Sequence, residues 1–314
     1  MRLLAALTAS VCLIVWAAAA ADVREANYAA GYFGELLPDL TPDQLASATN
    51  GSKLFLKRWT EGNGNRRNAD SCVACHSVPM PGGSGMSAQA LVAVDAKGEI
   101  VQTGFPAPPH ESGTVRRTRA LFGIGYLEAA GGGFGAFGKD PDLKTFVAKA
   151  FATELGVSSS LQCARSGETP PQTCVAAISD KDLDDVVAYL RFLAPPPRSK
   201  EAAEGRKVFE TIGCAKCHAP VLTTRSDAPA PLRGRRFAAH TDRKTHDMGG
   251  RAPVMTAPLW GVQSFGPPYM HDACGYSLAA AIKCHRGEGQ AAADAFNALM
   301  EGEREALLAF LRAL

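Results

Sequence analysis

The chain has 314 residues, a formal net charge of +2 at pH 7 and hydrophobic side chains at 46% of its positions. A charge so close to zero provides no strongly basic surface, which excludes a nucleic-acid-binding protein. The length suits two domains of ordinary size.

The N-terminus is typical of an export signal. Met1-Arg2 precedes an apolar run from Leu3 to Ala21. A short positive start, an apolar stretch and small residues at its end predict a secretory signal peptide over residues 1–21. The alternative is an uncleaved anchor, since about 19 apolar or small residues can just span a bilayer. We expect cleavage near Ala21 and a soluble, periplasmic mature protein.

The first predicted helix begins at Thr41-Pro42-Asp43-Gln44, because proline is favoured at the first helical position. It continues through Gly51-Ser-Lys-Leu-Phe55 and leads, after a loop rich in glycine and asparagine, into Cys72-Val-Ala-Cys75-His76. A helix with a Gly-x-x-x-Phe pattern before such a motif is how cytochrome c modules commonly begin. The same order of elements returns later in the chain.

Two Cys-x-x-Cys-His motifs are present, Cys72 to His76 and Cys214 to His218. This pentapeptide is the attachment site of c-type haem. Two thiols three residues apart share one face of a helical turn, and the following histidine supplies an axial iron ligand. Zinc sites or thiol redox centres are the alternatives, but zinc needs four ligands that are usually more widely spaced. The sequence therefore predicts two covalently bound c-type haems.

Two further helices are predicted between the motifs. One opens at Asp140-Pro141 and runs to Leu155, and the other follows Ser179-Asp-Lys-Asp182 and covers Leu183–Leu193. The second start has the character of a capping box. Pro195-Pro196-Pro197 must end that helix, so we place a domain boundary after residue 197.

The second half repeats the plan of the first. A helix over Glu204–Ile212 precedes the second motif, and apolar periodicity predicts helices over 277–284, 291–300 and 303–314. The prediction is an all-α fold with two cytochrome c-like haem domains, residues 22–197 and 198–314.

Three long loops rich in glycine and proline, 78–113, 129–140 and 219–268, are expected to hold little regular structure and to wrap the haems. Two small domains of this kind would have sparse cores without porphyrin, so we expect the apo-protein to fold poorly.

The cysteines outside the motifs agree with export. Of nine cysteines, Cys12 lies in the predicted leader, and Cys163, Cys174, Cys274 and Cys284 remain after the haem motifs. An even number is expected in an oxidising compartment. Proximity favours the pairs Cys163–Cys174 and Cys274–Cys284, although four cysteines allow three pairings.

Two basic runs stand out, Arg116-Arg117-Thr118-Arg119 and Arg233-Gly234-Arg235-Arg236. They form either an ordinary solvated surface or groups that neutralise haem propionates. The sequence leaves both interpretations open.

From Arg117 onward the chain resembles the dihaem oxidoreductase family often labelled "thiol oxidoreductase" or "putative peroxidase". That family is distantly related to the bacterial dihaem cytochrome c peroxidases and to MauG. The matching stretches are Leu121 to Ala129, Phe151 to Gly156, the pair Cys163 and Cys174, Gly213 to Pro220, Thr241-Asp242, His246 to Gly249, Thr256 to Gly261, His271-Asp272, Ala280 to Ile282 and His285 to Glu288. The chain departs from the family at Ala273-Cys274 and at Cys284.

The two motifs make His76 and His218 the proximal ligands of the first and second haem. The resemblance implies the distal ligand of the second: His285 lies fourteen residues after His271, which is the spacing of that ligand in the peroxidase relatives. A surface histidine, or a single-cysteine haem site at Cys284-His285, is the alternative. For the first haem we choose Met248 as distal ligand. The other candidates there are Met80, Met86, His110 and His246, or an open position.

An open position would admit peroxide, and its cleavage requires an acid or base nearby. Glu128 is our candidate, with His246 and His271 as alternatives; an ordinary salt bridge to arginine would also explain Glu128. Trp260 either assists electron transfer between the haems or packs on haem.

Two functions follow from the sequence. The first is an oxidoreductase that takes electrons from a periplasmic redox partner at the second haem and reduces a small oxidant such as hydrogen peroxide at the first. The second is a non-enzymatic electron carrier in which both haems are six-coordinate.

Overall fold

A computed structural model gives the fold. The residues that it describes are 23–59, 69–85, 91–94, 100–102, 114–165, 174–199, 202–250 and 252–314. The predicted leader and two of the candidate ligands, Met86 and His110, lie outside these residues.

Helices dominate the described part of the chain. In chain order they are α1 (Pro42–Leu56), α2 (Ile124–Ala130), α3 (Leu143–Leu155), α4 (Ser160–Arg165), α5 (Asp180–Phe192), α6 (Ala203–Thr211), α7 (Leu278–Lys283), α8 (Gln290–Ala298) and α9 (Glu301–Ala313). Short 3₁₀ turns cover Cys72–Ala74, Cys214–Lys216 and Gly287–Gly289.

The prediction of a purely all-α fold needs correction, because short strands occur among the described residues, most of them in the long loops. They are β1 (Arg24–Glu25), β2 (Leu91–Val94), β3 (Ile100–Gln102), β4 (Thr114–Arg117), β5 (Leu222–Thr223), β6 (Arg235–Phe237), β7 (Thr245–His246) and β8 (Val254–Met255). They pair in the orders β1-β6-β5, β3-β2-β4 and β7-β8. Most are only two or three residues long, which is too short for an alternating pattern to appear in the sequence.

Side-chain caps start the predicted helices where the sequence places them. Thr41 Oγ1 accepts from the backbone N–H of Gln44 at 3.2 Å, and Gln44 Oε1 accepts from Thr41 N–H at 2.9 Å. Ser179 Oγ accepts from Asp182 N–H at 3.1 Å at the start of α5. Both caps satisfy donors that an isolated helix leaves unpaired. Helix α5 ends at Phe192, shortly before the three prolines.

Two helix pairs repeat the same contact, α1 with α5 and α6 with α9. A Cβ atom on Gly51 would lie 1.8 Å from the carbonyl oxygen of Asp185, and one on Gly205 would lie 2.0 Å from that of Ala306. Only glycine permits helix backbones to approach this closely. The repeated plan predicted from the sequence is therefore a repeated packing geometry.

The phenylalanine four residues after each glycine points toward a motif histidine. The ring centroids of Phe55 and His76 are 6.3 Å apart, and those of Phe209 and His218 are 6.4 Å apart. Both phenylalanines are buried. Each helix pair thus places an aromatic wall beside its motif.

Three hydrophobic clusters form the core. The first lies almost wholly before residue 197 and the third wholly after it. The second joins Leu37 and Tyr126 from the first half to Phe237 and Trp260 from the second, and the parallel pairing of β1 with β6 also joins the two halves. The boundary at residue 197 stays a prediction; the two halves share a core across it.

Both predicted disulfides are present, Cys163–Cys174 with Cα atoms 5.6 Å apart and Cys274–Cys284 with Cα atoms 6.2 Å apart. Among the described residues, no helix is both long and apolar enough to cross a membrane.

Candidate functional site

The two Cys-x-x-Cys-His motifs adopt the same turn. His76 N–H donates to the carbonyl oxygen of Cys72 at 3.0 Å, and His218 N–H donates to that of Cys214 at 2.9 Å. Each pair of cysteines brackets one 3₁₀ turn, and the four motif cysteines are partly buried and not part of a disulfide. Two thiols on one short turn, with an imidazole directly after them, is the arrangement that two-point haem attachment requires.

Burial raises the pKa of the motif thiols. It raises the pKa of Cys72 to about 12, with a smaller contribution from Cys75, and the pKa of Cys214 to about 11. Redox-active thiols instead have lowered pKa values in electropositive surroundings. The raised pKa values of these thiols therefore disfavour a thiol redox centre.

Backbone carbonyls orient both motif histidines. His76 Nδ1 lies 3.0 Å from the oxygen of Gly83, and His218 Nδ1 lies 3.0 Å from the oxygen of His240. A carbonyl oxygen only accepts, so Nδ1 carries the proton and Nε2 keeps the lone pair that a metal needs. Burial lowers the pKa of each imidazole to about 4, which keeps both rings in the neutral, metal-binding form.

His285 faces His218. Their ring centroids are 6.4 Å apart at an interplanar angle of 64°, and His285 Nδ1 bonds to the carbonyl oxygen of Ala281 at 2.9 Å. Metal–imidazole bonds of about 2 Å on either side of one ion would separate two such rings by about 6 Å. The pair is spaced to hold one metal ion between two Nε2 atoms.

His218 and His285 both line a cavity of about 480 Å³. Its wall includes Cys214, Cys217, His218 and His285, and most of the remaining lining is apolar. Among the described residues no three His, Cys, Asp or Glu side chains form a metal-binding group, as a zinc site would require. A flat apolar cofactor that brings four ligands of its own, leaving two positions for histidine, fits this donor set.

His246 lies at the same cavity between two carboxylates. Its Nε2 is 2.9 Å from Asp242 Oδ2 and its Nδ1 is 2.8 Å from Glu288 Oε2. Burial lowers the pKa of His246, but the two carboxylates act the other way and the net pKa is raised. Its Nδ1 also lies 3.8 Å from the sulfur of Cys217. The cavity wall therefore carries an imidazole that favours its protonated form.

A family profile described as "Di-haem oxidoreductase, putative peroxidase" matches residues 149–314, which is just over half of the chain. The chain belongs to this di-haem oxidoreductase family. Haem is therefore its cofactor class, and haem-dependent oxidoreduction is its class of activity.

Among solved structures, the chain resembles one entitled "Kuenenia stuttgartiensis Hydrazine Synthase Pressurized with 20 bar Xenon". The sequences are 14% identical, the TM-score is 0.56, and the match covers 100% of this chain and 99% of that one. At this identity the likeness concerns the fold alone. A comparison with curated proteins finds no match.

Met248 and His271 lie with the second motif of this di-haem oxidoreductase. Both line the cavity of Cys214 and His218, whereas His76 does not. Met248 Cε would lie 3.0 Å from a Cβ on Gly289, close to His285. Met248 as distal ligand of the first haem stays a prediction. The loop of Met248 folds against residues 287–289, where the backbone N–H of Glu288 donates to the oxygen of Asp247 at 2.8 Å, a contact that sequence spacing does not reveal.

Glu128 lies outside the cavity of the second motif. Its carboxylate accepts two hydrogen bonds from Arg191, at 2.7 and 3.1 Å, and one from the backbone N–H of Leu143 at 3.3 Å. This paired arrangement supports the salt-bridge interpretation and not an acid–base role.

Trp260 is buried and lines the cavity. A Cβ on Gly123 would lie 2.7 Å from its indole ring, and the ring centroid of Phe237 is 5.8 Å away. Trp260 therefore packs between the shared core and the cavity, which accommodates either of its predicted roles.

Sequence reasoning missed His240. Its side chain is buried against Phe209 and Phe310, with ring centroids 5.9 and 5.7 Å away, and its backbone has a left-handed φ of 51°. This conformation is rare outside glycine, and its carbonyl is the one that orients His218. No sequence signal identifies such a residue, because the contribution comes from the backbone.

Proposed function

We propose that this protein is an exported dihaem c-type oxidoreductase, with one haem bound covalently at each Cys-x-x-Cys-His motif. The observation that carries the proposal is the repeated geometry: each motif places two thiols on one turn and an imidazole whose Nδ1 is tied to a carbonyl. When bound, haem supplies one-electron chemistry at its iron. The same repetition supports two cytochrome c-like units, residues 22–197 and 198–314.

The second haem is the site of electron entry in this proposal. His218 and His285 would be its axial ligands, and their separation of 6.4 Å between ring centroids supports this role. An iron with two protein ligands has no position for a substrate, so it suits electron transfer.

The first haem is the site where we propose that hydrogen peroxide is reduced. Reduction to two waters requires two electrons and two protons, and two haems in one chain suit the delivery of both electrons. The family description supports a peroxidase. Among the described residues, Met248 and His246, two candidate ligands of the first haem, line the cavity of the second motif, and this supports an open position at the first.

Export to the periplasm is supported by the sequence pattern over residues 1–21 and by the two disulfides, which persist in oxidising compartments. The electron donor would then be a periplasmic redox protein.

The test is a low-temperature EPR spectrum of the oxidised holoprotein. Wild-type protein should carry two haems that survive denaturing electrophoresis, with one high-spin and one low-spin ferric signal. H285A should convert the low-spin signal to high-spin. K283A, an exposed position at the end of α7 and two residues before His285, is the matched control and should leave both signals unchanged.

Other outcomes would contradict parts of the proposal. Two low-spin signals in the wild type would contradict an open first haem and favour the electron carrier. A wild-type protein without covalent haem would overturn the proposal as a whole.

A further inference from the structure

Arg117 comes from the first half of the chain but reaches the cavity of the second motif. It ends β4, and its side chain lines the cavity together with that of Arg119. Arg117 Nη2 donates to the carbonyl oxygens of Phe265 and Gly266 at 2.9 and 2.8 Å. The guanidinium group is therefore fixed at the cavity wall, 5.6 Å from the ring centroid of Tyr269.

Among the residues that the structure describes, no carboxylate is seen paired with the Arg117 guanidinium group. Its Nε is buried and has no hydrogen-bond partner. Among the described residues that line the cavity, Glu288 is the only carboxylate, and it is bonded to His246. Burial lowers the pKa of Arg117 to about 10, which reflects the cost of holding a cation away from water. A buried charge of this kind requires a partner.

Haem itself brings suitable anions. A porphyrin attached at Cys214 and Cys217 would bring two propionate carboxylates with it, and a guanidinium group is the side chain that binds carboxylates best. Arg119 adds a second cation there; its Nη2 donates to the carbonyl oxygen of Met255 at 2.7 Å.

We propose that Arg117, assisted by Arg119, binds a propionate of the second haem. The proposal rests on the covalent haem of the proposed function and adds residues of the first half to the site of the second cofactor. It also decides between the two interpretations of the basic run at 116–119: its arginines at 117 and 119 are cofactor-binding groups.

The segment that carries these arginines also contacts the first motif. Thr118 O accepts from Ser84 Oγ at 2.5 Å, and Leu121 N–H donates to the oxygen of Gly82 at 2.7 Å. Gly82 precedes the residue whose carbonyl orients His76. One short segment thus touches the surroundings of both motifs.

Redox titration of the holoprotein at a fixed pH near neutral, where Arg117 is fully charged, followed by optical spectroscopy, tests the proposal. Removal of a positive charge near an iron favours its ferric form. In R117Q the ferrous-to-ferric ratio of one haem should fall about tenfold at a given poise, about 59 mV for a one-electron couple. R117K keeps the positive charge, so the potentials of its haems should stay close to those of the wild type.

R236Q is the matched control, because Arg236 belongs to the other basic run, is exposed, and lies 3.5 Å from Glu25 at the surface. It should leave both potentials unchanged. R119Q should shift the same haem as R117Q, and it provides the measurement if R117Q does not accumulate.

Two results would overturn the proposal. One is an R117Q protein with two haems and unchanged potentials. The other is an R117K protein shifted as far as R117Q, because this would assign the effect to the lost bonds with Phe265 and Gly266. Both leave the proposed function intact, whereas a wild-type protein without covalent haem would contradict that function itself.

Discussion

At the scale of single residues, the candidate ligands owe their orientation to backbone carbonyls. The oxygens of Gly83, His240 and Ala281 each hold the Nδ1 of one histidine at 2.9–3.0 Å. The common result is a ring whose Nε2 is available to a metal, with the tautomer fixed before the metal binds. Substitution of the neighbouring side chains would alter these sites less than a shift of the backbone.

His246 is the residue whose charge should depend most visibly on pH. Hydrogen bonding to His246 lowers the pKa of Glu288. Burial raises the pKa of Asp242, but the hydrogen bonds from Lys244 N–H and His246 have the larger opposite effect, so the net pKa is lowered. The raised pKa of His246 is the counterpart of these shifts. At pH 6 all three groups are therefore charged.

H246Q should destabilise the holoprotein more at pH 6 than at pH 9. A histidine with a raised folded pKa contributes stability that is fully present below its ordinary value of 6.5 and is lost as the pH rises through the folded pKa. We expect a loss of about 1 kcal/mol at pH 6 and less at pH 9, measured by denaturant unfolding at both pH values. An equal loss at both would contradict the charged form.

At the scale of elements, the two glycines at the helix contacts determine how each motif is flanked. Gly51 and Gly205 are the positions where α1 meets α5 and α6 meets α9. A methyl group there would overlap a backbone oxygen, which cannot move without displacing its helix. The close contact therefore determines how far Phe55 lies from His76 and how far Phe209 lies from His218.

G51A and G205A should each lower the unfolding free energy of the holoprotein by about 3 kcal/mol, because overpacking forces the helices apart. Thermal or denaturant unfolding measures the effect. G302A is the control: Gly302 lies in α9, and a Cβ there would meet no atom within 4 Å. It should be neutral or stabilise the protein by up to about 1 kcal/mol. Equal behaviour of the three variants would contradict the close packing.

The helices show which elements the sequence could predict. Those with side-chain caps and apolar periodicity, α1, α3 and α5 among them, occur where predicted to within a few residues. Helices α2 and α4, with seven and six residues, were not predicted. Helix α7 is as short but begins at a side-chain cap from Ser277, whereas α2 has no side-chain cap at its start, so tertiary contacts decide the formation of α2.

At the scale of the whole molecule, the two halves share a hydrophobic cluster, and both contribute residues to the cavity of the second motif. Tyr126 packs against Phe237 with ring centroids 5.5 Å apart, and Arg117 reaches the second cavity. The third cluster, which contains Phe209 and Phe310, lies beside that cavity. Haem would complete this part of the core, because a cavity of about 480 Å³ leaves its apolar lining without packing partners.

Apo-protein, produced without haem attachment, should be less protected than holoprotein in hydrogen exchange. The loss should be largest in α6, α7 and α9, since residues of these helices line the cavity, and smaller in α3, which packs in the first cluster. Hydrogen-exchange mass spectrometry of the two forms measures this difference. Equal protection in α6 and α9 would show that the fold does not depend on the cofactor.

The sequence by itself determined the two Cys-x-x-Cys-His motifs, the favoured disulfide pairs and the capped helices, because each depends on residues close together in the chain. Only the tertiary structure decided which distant side chains surround the motifs and the candidate catalytic residues. It brought Met248, His246 and His271 to the second motif and paired Glu128 with Arg191, whereas His285 opposite His218 was expected from the resemblance. The positions that the sequence did not predict depend on how distant loops pack, which local residue spacing does not encode.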